Sequence, residues 1–170
     1  MPSLAKTIGL TLLCGSLLFA SAPARAQSPA PGITIDVPVK LKDAKVLFNM
    51  GHISMQGNDI VALIQMQRLV DHFKANATNG KIVAIFHRDM GVIGLSDEAY
   101  NREKKVTTGN PYKDQIKKLA EEGVDFEFCG VSMAAHGWVN KDLLPQFKVT
   151  TGAMYRIIEL AQSGYVVLAP

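Results

Sequence analysis

Short apolar segments recur along this 170-residue chain, and longer amphipathic segments separate them. A continuous run such as 82–86 is typical of a strand that is covered on both faces. The apolar segments predict strands at 46–48, 82–86, 124–128, 147–149 and 165–168. Apolar residues spaced three or four apart predict helices over about 58–79, 110–123 and 151–163, with shorter ones near 97–105 and 133–138.

Capping residues indicate where these helices begin and end. Asn58 is the predicted N-cap of the first long helix, and Thr150 or Thr151 is that of the last. Asn110-Pro111 predicts a helix start, because proline suits the first helical position. Gly123 is a natural C-terminal stop for that helix.

Alternation of strands with helices predicts βαβ units and a mainly parallel sheet. One further strand is predicted at 33–39, where Ile and Val alternate with polar residues. Pro38 confines this strand to a sheet edge, since proline cannot donate to a strand ladder. Ligands of parallel sheets bind beyond the carboxyl ends of the strands, so the residues just after each strand are the candidates for chemistry.

The first 26 residues have the pattern of a cleavable signal peptide. Lys6 precedes an uncharged apolar run over 8–20, and Ala24-Arg25-Ala26 is a small-x-small cleavage site. The run is too short to cross a bilayer as a helix. We therefore expect a cut after Ala26, a periplasmic or secreted protein, a flexible leader over 27–32 and a single α/β domain over 33–170.

The composition of the chain without its signal peptide excludes several classes of binding partner. Loss of Lys6 and Arg25 lowers the formal net charge from +3 to +1, and no basic block is left, so nucleic acid is not expected as a partner. No second apolar stretch approaches 18 residues, so no membrane association is expected after signal cleavage. No phosphate-binding or dinucleotide-binding glycine motif occurs, and no cofactor is predicted.

Cysteine usage directs attention to one position. The chain has two cysteines, and Cys14 would leave with the signal peptide. Cys129 would then be a lone thiol in an oxidising compartment, where it is a free thiol, an intermolecular bridge or a ligand. A buried, inert cysteine is the structural alternative.

Cys129 lies at a predicted strand-to-helix junction, where unpaired helix N–H groups lower a thiol pKa. His87 and Arg88 follow another strand and are expected to act in the same direction, so Cys129, His87 and Arg88 are the candidate catalytic residues. A second interpretation is a metal site formed by Cys129, His52, His87 and His136, because thiolate and imidazole suit zinc or copper. These four residues have no close ligand spacing, so only the fold could bring them together.

Four segments of the chain resemble the DsrE/DsrF-like (YchN-type) family, which includes sulfur-relay subunits. They are 46–48 with the helix that follows, 83–87 with Gly91 and Leu95, the block Gly-Val-Asp-Phe-Glu-Phe-Cys-Gly-Val-Ser-Met at 123–133, and the end from Leu144-Pro145 through Gly164-Tyr165. The block at 123–133 departs from the family pattern at Val131, where many members have asparagine.

The resemblance implies a parallel five-stranded sheet flanked by helices on both faces, assembled as a trimer or hexamer. It also implies that Cys129 corresponds to the cysteine that carries a persulfide in sulfur-relay members. We therefore expect a periplasmic protein that binds or transfers sulfur through Cys129, with at most a sulfurtransferase-like activity. Its expected partners are small sulfur species or a partner protein's thiol. The alternative is a non-catalytic oligomeric binding or accessory protein, with or without the metal site.

Overall fold

The structure is a computed structural model that describes residues 31–170. The predicted signal peptide, its cleavage site, Cys14 and most of the 27–32 leader lie outside the described residues. Within residues 31–170, no helix is both long enough and apolar enough to span a bilayer.

A five-stranded parallel sheet forms the centre of the fold, as the family resemblance implied. Its strands, in chain order, are β1 (Asp43–Met50), β4 (Asn79–Phe86), β5 (Val124–Cys129), β6 (Phe147–Thr150) and β7 (Val166–Leu168). They lie in the order β6-β5-β4-β1-β7, and every neighbouring pair is parallel. A small antiparallel hairpin, β2 (Met55–Gln56) and β3 (Asp59–Ile60), stands apart from this sheet.

Helices cover both faces of the sheet, but unequally. They are α1 (Val61–Ala75), α2 (Asp97–Lys104), α3 (Lys113–Glu121), α4 (Gly130–His136) and α5 (Ala153–Gln162), with short 3₁₀ helices at Arg88–Gly94 and Asn140–Asp142. One face packs against α1 and α3 and forms the larger core, which includes Phe48, Phe86, Phe126 and Phe128. The other face packs against α5, through a smaller cluster that contains Leu47, Ile85, Leu160 and Cys129.

The 3₁₀ helix after β4 packs tightly against the aromatic core. A Cβ atom on Gly91 or Gly94 would lie 2.9 Å from the Phe128 ring, so side chains at these two positions would prevent this packing. The Asn110 amide donates to the carbonyls of Ile93 and Leu95, at 2.8 and 2.6 Å. These contacts fix the segment that follows His87.

Two local predictions near the amino-terminal end are wrong. Residues 33–39 form no strand, and their apolar side chains are exposed, because no neighbouring strand pairs with them. Asn58 does not cap α1: it lies in the turn between β2 and β3, beside Gly57 with φ +63°. The helix starts at Val61, after Ile60, and it ends at Ala75 instead of near 79.

Three further boundaries differ from the prediction. The Asn110-Pro111 pair forms a turn, with the Tyr112 N–H donating to Asn110 Oδ1 at 3.0 Å, and α3 starts at Lys113. The helix expected near 133–138 begins at Gly130, directly after Cys129. Neither Thr150 nor Thr151 caps α5, whose N-cap residue is Gly152 with no side-chain cap of its own.

Candidate functional site

The carboxyl ends of three neighbouring strands bring the candidate residues to one edge of the sheet. Met50 of β1 pairs with Phe86 of β4, and Phe86 pairs with Phe128 of β5. His87 therefore follows β4 at the level where Cys129 ends β5. This is the edge at which open α/β sheets bind their ligands.

The Cys129 sulfur accepts hydrogen bonds from backbone N–H groups of two different helices. The Ser132 N–H of α4 donates to Sγ at 3.5 Å, and the Ala153 N–H of α5 donates to it at 3.2 Å. Cys129 is thus the N-cap of α4 and also supplies the acceptor that α5 lacks locally. The sulfur is buried in the face of the sheet that α5 covers.

These contacts determine the acidity of the thiol. Burial raises the pKa of Cys129, but hydrogen bonds from the Ser132 hydroxyl and from the backbone N–H groups of Ser132, Ala153 and Val131 outweigh it. The net result is a pKa below that of an ordinary thiol. The thiolate is the nucleophilic form of cysteine, so these donors stabilise the form of Cys129 that sulfur chemistry would use.

Ser132 connects the sulfur to the loop after β4. Its Oγ accepts a hydrogen bond from the backbone N–H of Arg88 at 3.1 Å. The hydroxyl proton is therefore free to form a hydrogen bond with Cys129. Arg88 has φ +50°, a conformation that non-glycine residues seldom adopt, and this aims its N–H at Ser132. The backbone of Arg88 therefore positions the hydroxyl that lowers the cysteine pKa.

His87 is held as a neutral imidazole. Its Nε2–H donates to Asn49 Oδ1 at 2.7 Å, which leaves the lone pair on Nδ1. Burial lowers the pKa of His87, and the charge of Arg88 and the proximity of His52 lower it further. The ring lies against Gly51, where a Cβ atom would come within 2.9 Å of it. His87 therefore offers a proton acceptor at neutral pH.

A cleft of about 640 Å³ opens above Cys129, between α4 and α5. Three of the predicted site residues, Cys129, His87 and Arg88, line it, and so does His136, whose ring stacks on Trp138 at a centroid distance of 4.2 Å. The rest of the lining is mostly apolar and comprises Val131, Ala135, Met154, Tyr155, Ile157 and Ile158, with Ser132, Gly152 and Ala153 at the cysteine. The fold thus gathers these ionisable groups around an apolar cavity.

His52 is not among the residues that line this cleft. Its Nδ1 lies 4.0 Å from Asp89 Oδ2, and both side chains are largely exposed. Within residues 31–170, no three His, Cys, Asp or Glu side chains are close enough together to hold a metal ion. The geometry therefore gives no support to the Cys129, His52, His87 and His136 metal interpretation.

Sequence reasoning missed the ion pair that holds α5 over the cysteine. Glu127, two residues before Cys129 and on the same face of β5, accepts three hydrogen bonds from Arg156, the shortest at 2.7 Å. The hydrogen bonds to Glu127, and to a smaller extent the one to Glu159, raise the pKa of Arg156 above that of an ordinary arginine. Arg156 lies one turn after Ala153, so the pair fixes the helix end whose N–H reaches the sulfur. The strand carries two acidic residues, Asp125 and Glu127, and the sequence pattern does not indicate that Glu127 pairs with Arg156.

Comparison with known proteins finds a match to one family model and a similarity in fold to a solved structure. The model of the DsrE/DsrF-like family matches residues 65–170. The chain is also similar in structure to a protein of unknown function from Methanobacterium thermoautotrophicum, with 20% sequence identity and a TM-score of 0.57. That match covers 75% of this chain and 100% of the other, and at this identity it concerns the fold alone. A search of curated proteins finds no match.

Replacement of Ser132 by alanine tests the hydroxyl contact. We expect Ser132→Ala to raise the pKa of Cys129, because one hydrogen bond to the thiolate is lost while the backbone donors remain. The measurement is the pH dependence of iodoacetamide alkylation, whose midpoint should move to higher pH. Ser163→Ala removes an exposed hydroxyl far from the site and should leave the midpoint unchanged. Equal midpoints for wild type and Ser132→Ala would contradict the assignment.

Replacement of Glu127 by glutamine tests the ion pair. The Glu127 side chain is 10% exposed and that of Arg156 is 30% exposed, so we expect Glu127→Gln to lower the free energy of unfolding by about 1–3 kcal/mol. We also expect the pKa of Cys129 to rise, because α5 is held less firmly at the sulfur. Urea denaturation and the alkylation profile measure the two effects.

The neighbouring Lys148–Asp125 pair on β6 and β5 provides the matched control. Its side chains are 76% and 61% exposed, so Lys148→Gln should cost about 0–1 kcal/mol and leave the alkylation midpoint in place. If Glu127→Gln behaved like Lys148→Gln in both measurements, the ion pair would have no positioning role.

Proposed function

The chain belongs to the DsrE/DsrF-like family, a family of the sulfur-relay type, and from that premise we propose that it carries sulfur as a persulfide on Cys129. The single observation that supports this most strongly is the donation of N–H groups from two helices to Cys129 Sγ, at 3.5 and 3.2 Å. A cysteine that is only packing material needs no such donors. A cysteine that must be a thiolate benefits from each of them.

The proposed step is a transfer of one sulfane sulfur. The Cys129 thiolate attacks the outer sulfur of a donor persulfide, R–S–SH. A new S–S bond forms at Cys129, the S–S bond of the donor breaks, and its electron pair leaves with the thiolate R–S⁻. The proton stays on the transferred sulfur or passes to a base. No net oxidation occurs, so this step requires no metal or redox cofactor.

His87 and Arg88 have complementary places in this proposal. Burial lowers the pKa of His87 and so favours the unprotonated ring. The free ring nitrogen can then take the proton of the incoming persulfide. Arg88 lines the same cleft, so its positive charge can attract an anionic sulfur donor. The cleft gives the added sulfur room beyond a cysteine that is itself only 4% exposed.

We further propose that the protein works in the periplasm, on the basis of the signal-like pattern of residues 1–26. We also propose that it assembles as a trimer or hexamer. The family resemblance supports the assembly, and so does the edge strand β7, whose three residues Val166, Val167 and Leu168 all have exposed side chains. Exposed apolar edge strands are usually covered in native proteins.

Intact mass spectrometry tests the sulfur proposal. The Cys14→Ser chain, in which Cys129 is the only thiol, should gain one sulfur atom (about 32 Da) after incubation with inorganic polysulfide. Cyanide should remove this sulfur as thiocyanate, because it attacks sulfane sulfur. The same chain with Cys129→Ala should gain nothing. No adduct on Cys129, or an equal adduct on the Cys129→Ala chain, would overturn the proposal.

Light scattering tests the assembly. We expect the mass of three or six chains at micromolar concentration, and Val167→Lys on β7 should lower it, because the lysine charge would have to be buried between chains. Lys45→Gln, an exposed position on the adjacent strand, serves as the control. The mass of a single wild-type chain would contradict the proposed oligomer.

A further inference from the structure

The cleft above Cys129 is much larger than sulfur transfer alone requires. A persulfide adds one sulfur atom to the cysteine, whereas the cleft has a volume of about 640 Å³. Cavities of roughly 300–1,000 Å³ are typical of sites that take whole organic molecules. Inorganic sulfide or polysulfide would leave most of this space unused.

The walls of the cleft are apolar, and they are exposed where they meet solvent. Val131 on α4 is 60% exposed, and Met154 and Ile158 on α5 are 62% and 50% exposed. Gly152 leaves space between the two walls, because a Cβ atom there would lie 3.2 Å from the Tyr155 ring and 3.4 Å from Val131. Such a surface favours a ligand with an apolar body, which would remove these side chains from water.

Among the described residues that line the cleft, Arg88 is the one that carries a permanent charge. The lining contains Arg88, His87 and His136 but no carboxylate. Within residues 31–170, the Arg88 guanidinium makes no ion pair with any Asp or Glu, whereas Arg102 and Arg156 both do. An exposed cation without a partner at the rim of an apolar cavity is suited to a ligand that carries a negative group.

We propose that the molecule that exchanges sulfur with Cys129 is a small organic thiol with an apolar body and one anionic group, such as a carboxylate. This inference rests on the proposed persulfide function and narrows its substrate. The ligand sulfur lies at Cys129, its apolar body lies along Val131 and Ile158, and its anionic group faces Arg88. In the sulfur-transfer step, this thiol is the R–S⁻ that leaves when the S–S bond of its persulfide breaks.

The test uses disulfides as stable probes of the same cleft. Each probe forms a mixed disulfide with Cys129 and releases one thiol, so the rate follows the binding of its organic part near the sulfur. The probes are an aromatic disulfide with a carboxylate on each ring, the neutral dithiodipyridine and the small hydrophilic bis(hydroxyethyl) disulfide. Each rate on the Cys14→Ser chain is divided by the rate of the same probe on the urea-unfolded chain, which removes differences in intrinsic reactivity.

We expect the normalised rates to fall in the order anionic aromatic, neutral aromatic, hydrophilic. Arg88→Gln should slow the anionic probe by about five- to tenfold more than it slows the neutral aromatic probe, because only the anionic probe loses a charge partner. Ile158→Gln should slow both aromatic probes and spare the hydrophilic one. Lys117→Gln replaces a cation on α3, on the opposite face of the sheet, and should change none of the rates.

Equal normalised rates for the three probes, or an equal effect of Arg88→Gln on all of them, would overturn the substrate class. A polysulfide adduct on Cys129 with no discrimination among the disulfides would refute this inference and leave the persulfide proposal standing. The absence of that adduct would instead refute the proposed function itself. The two failures are therefore distinguishable.

Discussion

The hydrogen bonds to one sulfur atom hold the carboxyl edge of this fold together. Cys129 Sγ accepts N–H groups from α4, which follows it in the chain, and from α5, which starts 24 residues later. The first N–H groups of a helix have no acceptor within the helix. At α5, no side chain at the N-cap position provides one. Gly130 makes the close approach possible, because a Cβ atom there would lie 2.9 Å from the Thr150 carbonyl oxygen.

The same contacts link stability to chemistry. A thiolate is a stronger acceptor than a thiol, so the N–H groups that cap the helices also favour the ionised sulfur. The helix macrodipole of α5 adds to this effect, because its positive end points at Cys129. The ion pair between Glu127 and Arg156 keeps that helix end in place, although neither residue contacts the sulfur through a hydrogen bond. The hydrogen bonds that stabilise the Cys129 thiolate therefore also stabilise the packing of α4 and α5 against the sheet.

Much of this could be predicted from the sequence, because the period of the apolar residues differs between strands and helices. That difference was enough to place Cys129 at the end of one strand, and His87 and Arg88 after another strand of the same sheet. Local rules failed where the partner is distant in the chain. Thr150 and Thr151 are good caps by residue type, yet α5 takes its acceptor from another strand. The alternating segment at 33–39 looks like a strand, but alternation forms no ladder without a neighbouring strand.

The proposed role as a sulfur carrier imposes two opposing requirements on Cys129. Lowering the pKa of a thiol increases the thiolate fraction but makes each thiolate a weaker nucleophile, so stabilisation alone does not give a fast reaction. Burial of Cys129 raises its pKa and so opposes the hydrogen-bond donors that lower it. The apolar walls can then hold a donor with its sulfur against the cysteine, and such positioning accelerates attack without further change in acidity. In the proposed carrier, the cleft brings the donor sulfur close to Cys129, and the amino-terminal ends of α4 and α5 stabilise the negative charge of the thiolate.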